Sequence, residues 1–120
     1  MGHLRELAPT ILESTSGVDM KTVAATTLFT VPAGKVAYIT AVVVRDPSAS
    51  MAGGNDYDFT QWRQTVDLSS LTTLNTDYIV LDGNNAKYTE LAAGATFQID
   101  VQTGTTAACT ATIDVIGYLA

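Results

Sequence analysis

Hydrophobic residues along this chain recur mainly at every second position. In the segment 95–102, Phe97, Ile99 and Val101 point one way, while Thr96, Gln98, Asp100 and Gln102 point the other. In 107–119, Cys109, Ala111, Ile113, Val115 and Leu119 share one side, and Thr110, Thr112 and Asp114 lie opposite. A period of two is the signature of a β-strand. One dry face and one wet face is the pattern of an antiparallel sandwich. The segment 35–45 departs from it. Val36, Tyr38, Val42 and Val44, with Thr40 among them, fall on one face, and Ala37, Ile39, Ala41 and Val43 fall on the other. Both faces are apolar, so both need cover. One meets the core; the other needs a loop, the N-terminal segment or a second subunit.

Turn residues divide the rest of the chain. Val31-Pro32-Ala33-Gly34, Asp46-Pro47-Ser48, Ala52-Gly53-Gly54-Asn55, Gly83-Asn84-Asn85, Ala92-Ala93-Gly94 and Thr103-Gly104-Thr105-Thr106 are all rich in residues that favour turns. Between them the pattern predicts about eight strands from residue 23 onward: 23–30, 35–45, 56–62, 64–68, 77–82, 86–91, 95–102 and 107–119. The third and fourth can be one bent strand. Leu68, Leu71 and Leu74 have the spacing of a single helical turn. No helix of crossover length separates the strands, which excludes a parallel βαβ arrangement.

Residues 1–20 read differently. Leu4, Leu7, Ile11 and Leu12 are scattered around Pro9, which interrupts a helix already too short to stand alone. The expected organisation is an extended N-terminal arm over 1–20, anchored by those four apolar side chains, and a β-sandwich domain over 21–120. The expected fold class is all-β: an antiparallel, jelly-roll-like β-sandwich of about eight strands.

Composition narrows the function. The chain has 120 residues, 47% of them hydrophobic and 15% charged, which suits one domain with a real core. Its net charge of −6 and lack of a basic patch argue against nucleic acid or an anionic membrane as a partner. Cys109 is the only cysteine, so no intrachain disulfide forms. No stretch reads as a signal peptide or membrane span, so the expectation is synthesis in a cytosol-like compartment, a cytoplasm.

Reactive chemistry is sparse. His3 is the only histidine and lies in the arm, which leaves no Ser-His-Asp or Cys-His site and no His/Cys zinc set in the body. Cys109 falls on the apolar side of its strand, where a thiol is structural rather than nucleophilic. Asp56 and Asp58 flank Tyr57 and point to one face, the one arrangement that resembles a paired-carboxylate site. Asp82-Gly83-Asn84-Asn85 and Asp56-Tyr57-Asp58 are rich in oxygen ligands but lack EF-hand spacing. The expectation is no enzyme activity and no cofactor. Trp62 and Arg63 stand out as surface contact residues, since Trp and Arg are enriched at binding hot spots.

The segments TTLFTVPAGK (26–35) and AAGATFQIDVQTGTTAACTATIDVIGYL (92–119), with the hydrophobic strand after the first, resemble small β-sandwich virion proteins of tailed phages. The closest resemblance is to capsid decoration (cement) proteins. These motifs encode strands and turns rather than a site, and 1–20 lies outside them. The resemblance implies a homotrimer on the outer capsid surface that contacts the major capsid protein and stabilises the head non-covalently. Alternatives are a receptor- or carbohydrate-binding module of a head or tail fibre, for which Trp62 and the nearby acids would be the site, and a tail or neck component.

Overall fold

Eight strands form two antiparallel sheets in the computed structural model, which describes residues 9–62, 64–72, 77–82 and 89–120. The strands are β1 (Thr10–Asp19), β2 (Ala25–Thr30), β3 (Ala37–Arg45), β4 (Asp56–Phe59), β5 (Tyr78–Leu81), β6 (Thr89–Leu91), β7 (Thr96–Thr103) and β8 (Thr110–Leu119). The larger sheet runs β1-β8-β3-β5, with β6 also paired to β3; the smaller runs β2-β7-β4. Among the described residues there is no helix.

The core lies between the sheets. From the larger sheet come Val18, Ala37, Ile39, Val42, Val44, Ala111, Ile113 and Val115; from the smaller come Leu28, Phe29, Tyr57, Phe59, Phe97, Ile99 and Val101. The alternation expected in β7 is present, with Phe97, Ile99 and Val101 buried and their neighbours outside. The turn after β2 is also as its residues dictate. Gly34 has φ +75°, a conformation other residues rarely adopt, and the Lys35 N–H donates to the Pro32 carbonyl at 3.2 Å.

Four expectations need correction. First, Thr10–Asp19 is not a free arm but the edge strand β1, paired with β8 from Thr10↔Gly117 to Asp19↔Thr110. Its mostly polar, exposed sequence hides a strand, because an edge strand covering one side of β8 needs few buried side chains. Second, 64–68 contributes only an isolated bridge, Tyr57↔Val66, so the eighth strand lies before residue 23 rather than after it.

Third, the two faces of β3 are not the simple odd and even sets. A register shift between Ile39 and Ala41 places an extra residue opposite β8. A bulge of this kind inverts the alternation beyond it. Ala37 and Ile39 therefore share the inner face with Val42 and Val44. Fourth, Asp114, assigned to the wet side of β8, is only 5% exposed.

Backbones approach closely where β8 pairs with β3. A Cβ added at Gly117 would collide with the Tyr38 carbonyl, so only glycine lets the two strands pair there. The phenol of Tyr57, buried in the core, donates to the Met20 carbonyl at 2.7 Å. Burial, reinforced by Cys109 and by nearby acids, pushes its pKa up to about 12.

Candidate functional site

Of the residues singled out from the sequence, those described do not converge. Leu4, Leu7 and Arg63 lie outside the described residues. Ile11 and Leu12 are successive residues of β1, so their side chains fall on opposite faces of the sheet. Leu12 is half-buried and packs on the core, whereas Ile11 is 59% exposed.

Trp62 is not a surface contact residue: it is buried, at 7% exposure. Extrapolating the strand past Phe59 placed it outside. Instead Gln61 takes φ +64°, the chain turns, and the Trp62 N–H donates to the Phe59 carbonyl at 3.0 Å. The indole then lies tilted against the Phe59 ring, 4.9 Å between centroids, and meets Phe97 edge-on at 5.9 Å. Its Nε1–H donates to Thr89 Oγ1 at 3.1 Å, tying the turn to the other sheet.

The acidic group is real. Asp58 pairs directly with Asp100 across β4 and β7, and Asp56 interacts with Asp58 from the same strand. Burial, then the charges of Asp56 and Asp100, holds the Asp58 carboxyl above its ordinary value. Asp58 and Asp100, with Phe59, Thr60 and Gln98, line a shallow open cleft of about 220 Å³. Among the described residues, no cluster of His, Cys, Asp and Glu has the arrangement of a metal site. The cleft is an acidic patch of the smaller sheet.

The extensive feature is the outer face of the larger sheet. Pairing places Ile11 beside Ile116, Ile116 beside Ala41, and Val43 beside both Asp114 and Val80. Tyr78 stands next along, opposite Arg45. Tyr78 and Val80 are 66% and 58% exposed. At the other end the rings of Tyr38 and Tyr118 lie 5.4 Å apart. The second apolar face of 35–45, legible in the sequence, thus continues across four strands. Its charged centre is a clasp. Asp114 accepts from Arg45 Nε at 2.9 Å and from Ser14 Oγ at 2.6 Å, while Arg45 also reaches Asp46. Burial alone would raise the Asp114 carboxyl; the hydrogen bonds from Arg45 and Ser14, and the guanidinium charge, outweigh it and hold the carboxyl below its ordinary value.

Comparison with known proteins bears on the fold. No family model matches the chain, and no curated protein matches it. A chain in a solved structure described as the cyanophage Pam1 capsid asymmetric unit is similar to it in fold, with a TM-score of 0.53 at 14% sequence identity. The likeness covers 93% of this chain and 84% of that one, so it embraces both sheets rather than a shared hairpin.

Proposed function

We propose that this chain is a non-enzymatic virion structural protein, a capsid decoration (cement) protein. It binds the outer surface of a phage head, contacts the major capsid protein, and assembles there as a homotrimer. The observation that carries this reading is the fold shared over nearly the whole chain with a chain of a phage capsid. The strand order supports reading the sandwich as a jelly roll: β1-β8-β3-β5 faces β2-β7-β4, with the Tyr57↔Val66 bridge standing where a fourth strand would complete the smaller sheet. The role asks for a stable body and sticky surfaces rather than reactive groups. The buried core, the apolar outer face and the single histidine suit it.

Burial of Trp62 removes the aromatic platform on which a carbohydrate-binding reading rested. The test is direct. Phage heads made without this protein are mixed with the purified chain and sedimented. Co-sedimentation, with heads that then resist heat or chelation better, is the expected result. Heads that neither bind the chain nor gain resistance overturn the reading.

A further inference from the structure

We propose that the open flank of β5 accepts a further strand: an extended segment of a partner protein, apolar and flanked by Lys or Arg, adds to the larger sheet beside Tyr78–Leu81. Edge strands are normally blunted against such pairing by bulges, charges or cover. Among the described residues, the other edges are blunted in this way. β1 carries two register shifts, and β2 carries one between Thr27 and Phe29. β4 shifts after Asp56, bears Asp56 and Asp58, and is bridged on its far side by Val66. β6, on the same side of β3 as β5, bears Glu90. β5 has none of these devices. Tyr78, Ile79, Val80 and Leu81 include no charge and hold an unbroken register with β3, from Arg45↔Tyr78 to Val42↔Leu81.

The backbone there is presented for pairing. The Asp46 N–H donates to the Asp77 carbonyl at 3.0 Å, which fixes the phase of the ladder between β3 and β5. Bonded and non-bonded pairs alternate along an antiparallel pair. Ile79 and Leu81 therefore exchange hydrogen bonds with β3, and Tyr78 and Val80 turn their backbone groups to the flank. Asp77 Oδ1 accepts from the Tyr78 N–H at 3.1 Å. The Tyr78 carbonyl and the N–H and carbonyl of Val80 face outward. Side chains agree: Tyr78 and Val80 are 66% and 58% exposed, while Ile79 and Leu81 are only partly covered by the core. An added strand lays its side chains beside both pairs at once. Main-chain bonds hold it and alternate side chains select it, as when extended peptides join sheet edges.

Charge selects the occupant. Among the described residues of this flank the cation is Arg45, already bound to Asp114 and Asp46. Asp77 and Asp82 close the two ends of β5. A segment with Lys or Arg beside an apolar run meets those acids with opposite charge. A second copy does not: antiparallel pairing of β5 with β5 sets the Asp77 end of each copy against the Asp82 end of the other, and like charges brought together there repel. The net charge of −6 likewise steers a basic segment toward the chain and another copy away from it.

The inference goes beyond the capsid reading, and its test needs no heads. The probe is a set of short peptides of alternating Val, Ile, Tyr and Thr with lysines at both ends, and the same set with glutamates at both ends. Each is titrated into the full chain while backbone amide shifts are followed by NMR. The expected result is saturable shifts at 78–82 with the lysine-ended peptides and much weaker ones with the glutamate-ended set. Val80→Pro removes the outward N–H and spares the ladder to β3, a place where an edge strand tolerates proline. It is expected to weaken binding about tenfold or more. Val80→Thr keeps the N–H and the branched shape and should bind as the wild type does. Asp82→Lys, at an exposed position, should bind the lysine-ended peptides several-fold more weakly. Circular dichroism and thermal melting check that the variants fold. No shift in β5 at millimolar peptide, binding indifferent to Val80→Pro, or equal binding of the glutamate-ended set overturns the assignment. So does a wild type that binds no peptide but self-associates until Val80→Pro makes it a monomer, which gives the flank to a second copy. Head binding stays separate: a chain that binds peptide but no heads keeps this flank and removes the capsid role, and one that binds heads but no peptide does the reverse.

Discussion

Arg45 and Asp114 face each other across β3 and β8, with Nε 2.9 Å from Oδ2, and Asp114 is almost wholly buried. On its other side Ser14 of β1 donates to Oδ1 at 2.6 Å. One carboxylate thus ties three adjacent strands together on the outer face. Interstrand backbone bonds alone leave a bulged edge strand such as β1 easily frayed. The clasp gives β1 a side-chain anchor near its middle.

Replacing Asp114 with Ala leaves Arg45 without its buried partner and Ser14 without an acceptor. A charge-assisted hydrogen bond contributes about 1.5–3 kcal/mol, so the variant is expected to lose about 2 kcal/mol in chemical denaturation. Ser14→Ala removes a single bond and is expected to lose about 1 kcal/mol or less. Hydrogen exchange in β1 should speed up in both. Protection of β1 that is unchanged in Asp114→Ala would contradict the anchoring role.

The same group sets an acid limit. The folded-state pKa of Asp114 is lowered, so its contribution is present above the unfolded-state value and is lost as pH falls through the folded one. Wild type and Asp114→Asn should differ most in melting temperature near pH 7, and the gap should start to close as pH falls below the unfolded-state value of about 4 and vanish only below the lowered folded-state one. A constant gap across that range would show that charge is not the cause.

Asp58 has the opposite sign. Its folded pKa is raised, by burial first and then by Asp56 and Asp100. Its contribution is therefore present at low pH and lost as pH rises through the folded value, which leaves crowded carboxylates in the smaller sheet at neutral pH. Asp58→Asn is expected to stabilise the protein at pH 7, by under about 1 kcal/mol for a partly exposed group. The gain should shrink toward pH 4. Melting curves at both pH values decide it.

Trp62 is expected to matter for folding rather than for contact. Truncating a buried Trp costs about 3–5 kcal/mol, so Trp62→Ala should melt far below the wild type, and Trp62→Phe should fall between. If Trp62→Ala folds as stably as the wild type while losing a binding activity, the ring is a contact residue after all.

Local alternation was enough to identify the strands around residues 95–102 and 107–119, because each carries one apolar face whose period the chain states outright, while apolar, β-branched runs bounded by turn residues marked 23–30 and 35–45. The same signal exposed the second apolar face of β3. Other features were decided only by tertiary structure. The bulge between Ile39 and Ala41 changes which side chains enter the core, yet a register shift belongs to the pair of strands and leaves no mark in either sequence alone. Asp114 reads as a solvated acid until β1 and β3 bring Ser14 and Arg45 to it. Trp62 reads as an outward residue until the left-handed Gln61 turns it under Phe59. Strand β1 reads as an arm because a segment with mostly exposed side chains shows little periodicity. Its place is set by backbone hydrogen bonds to β8, which every residue except proline can donate and whose pattern no side chain encodes.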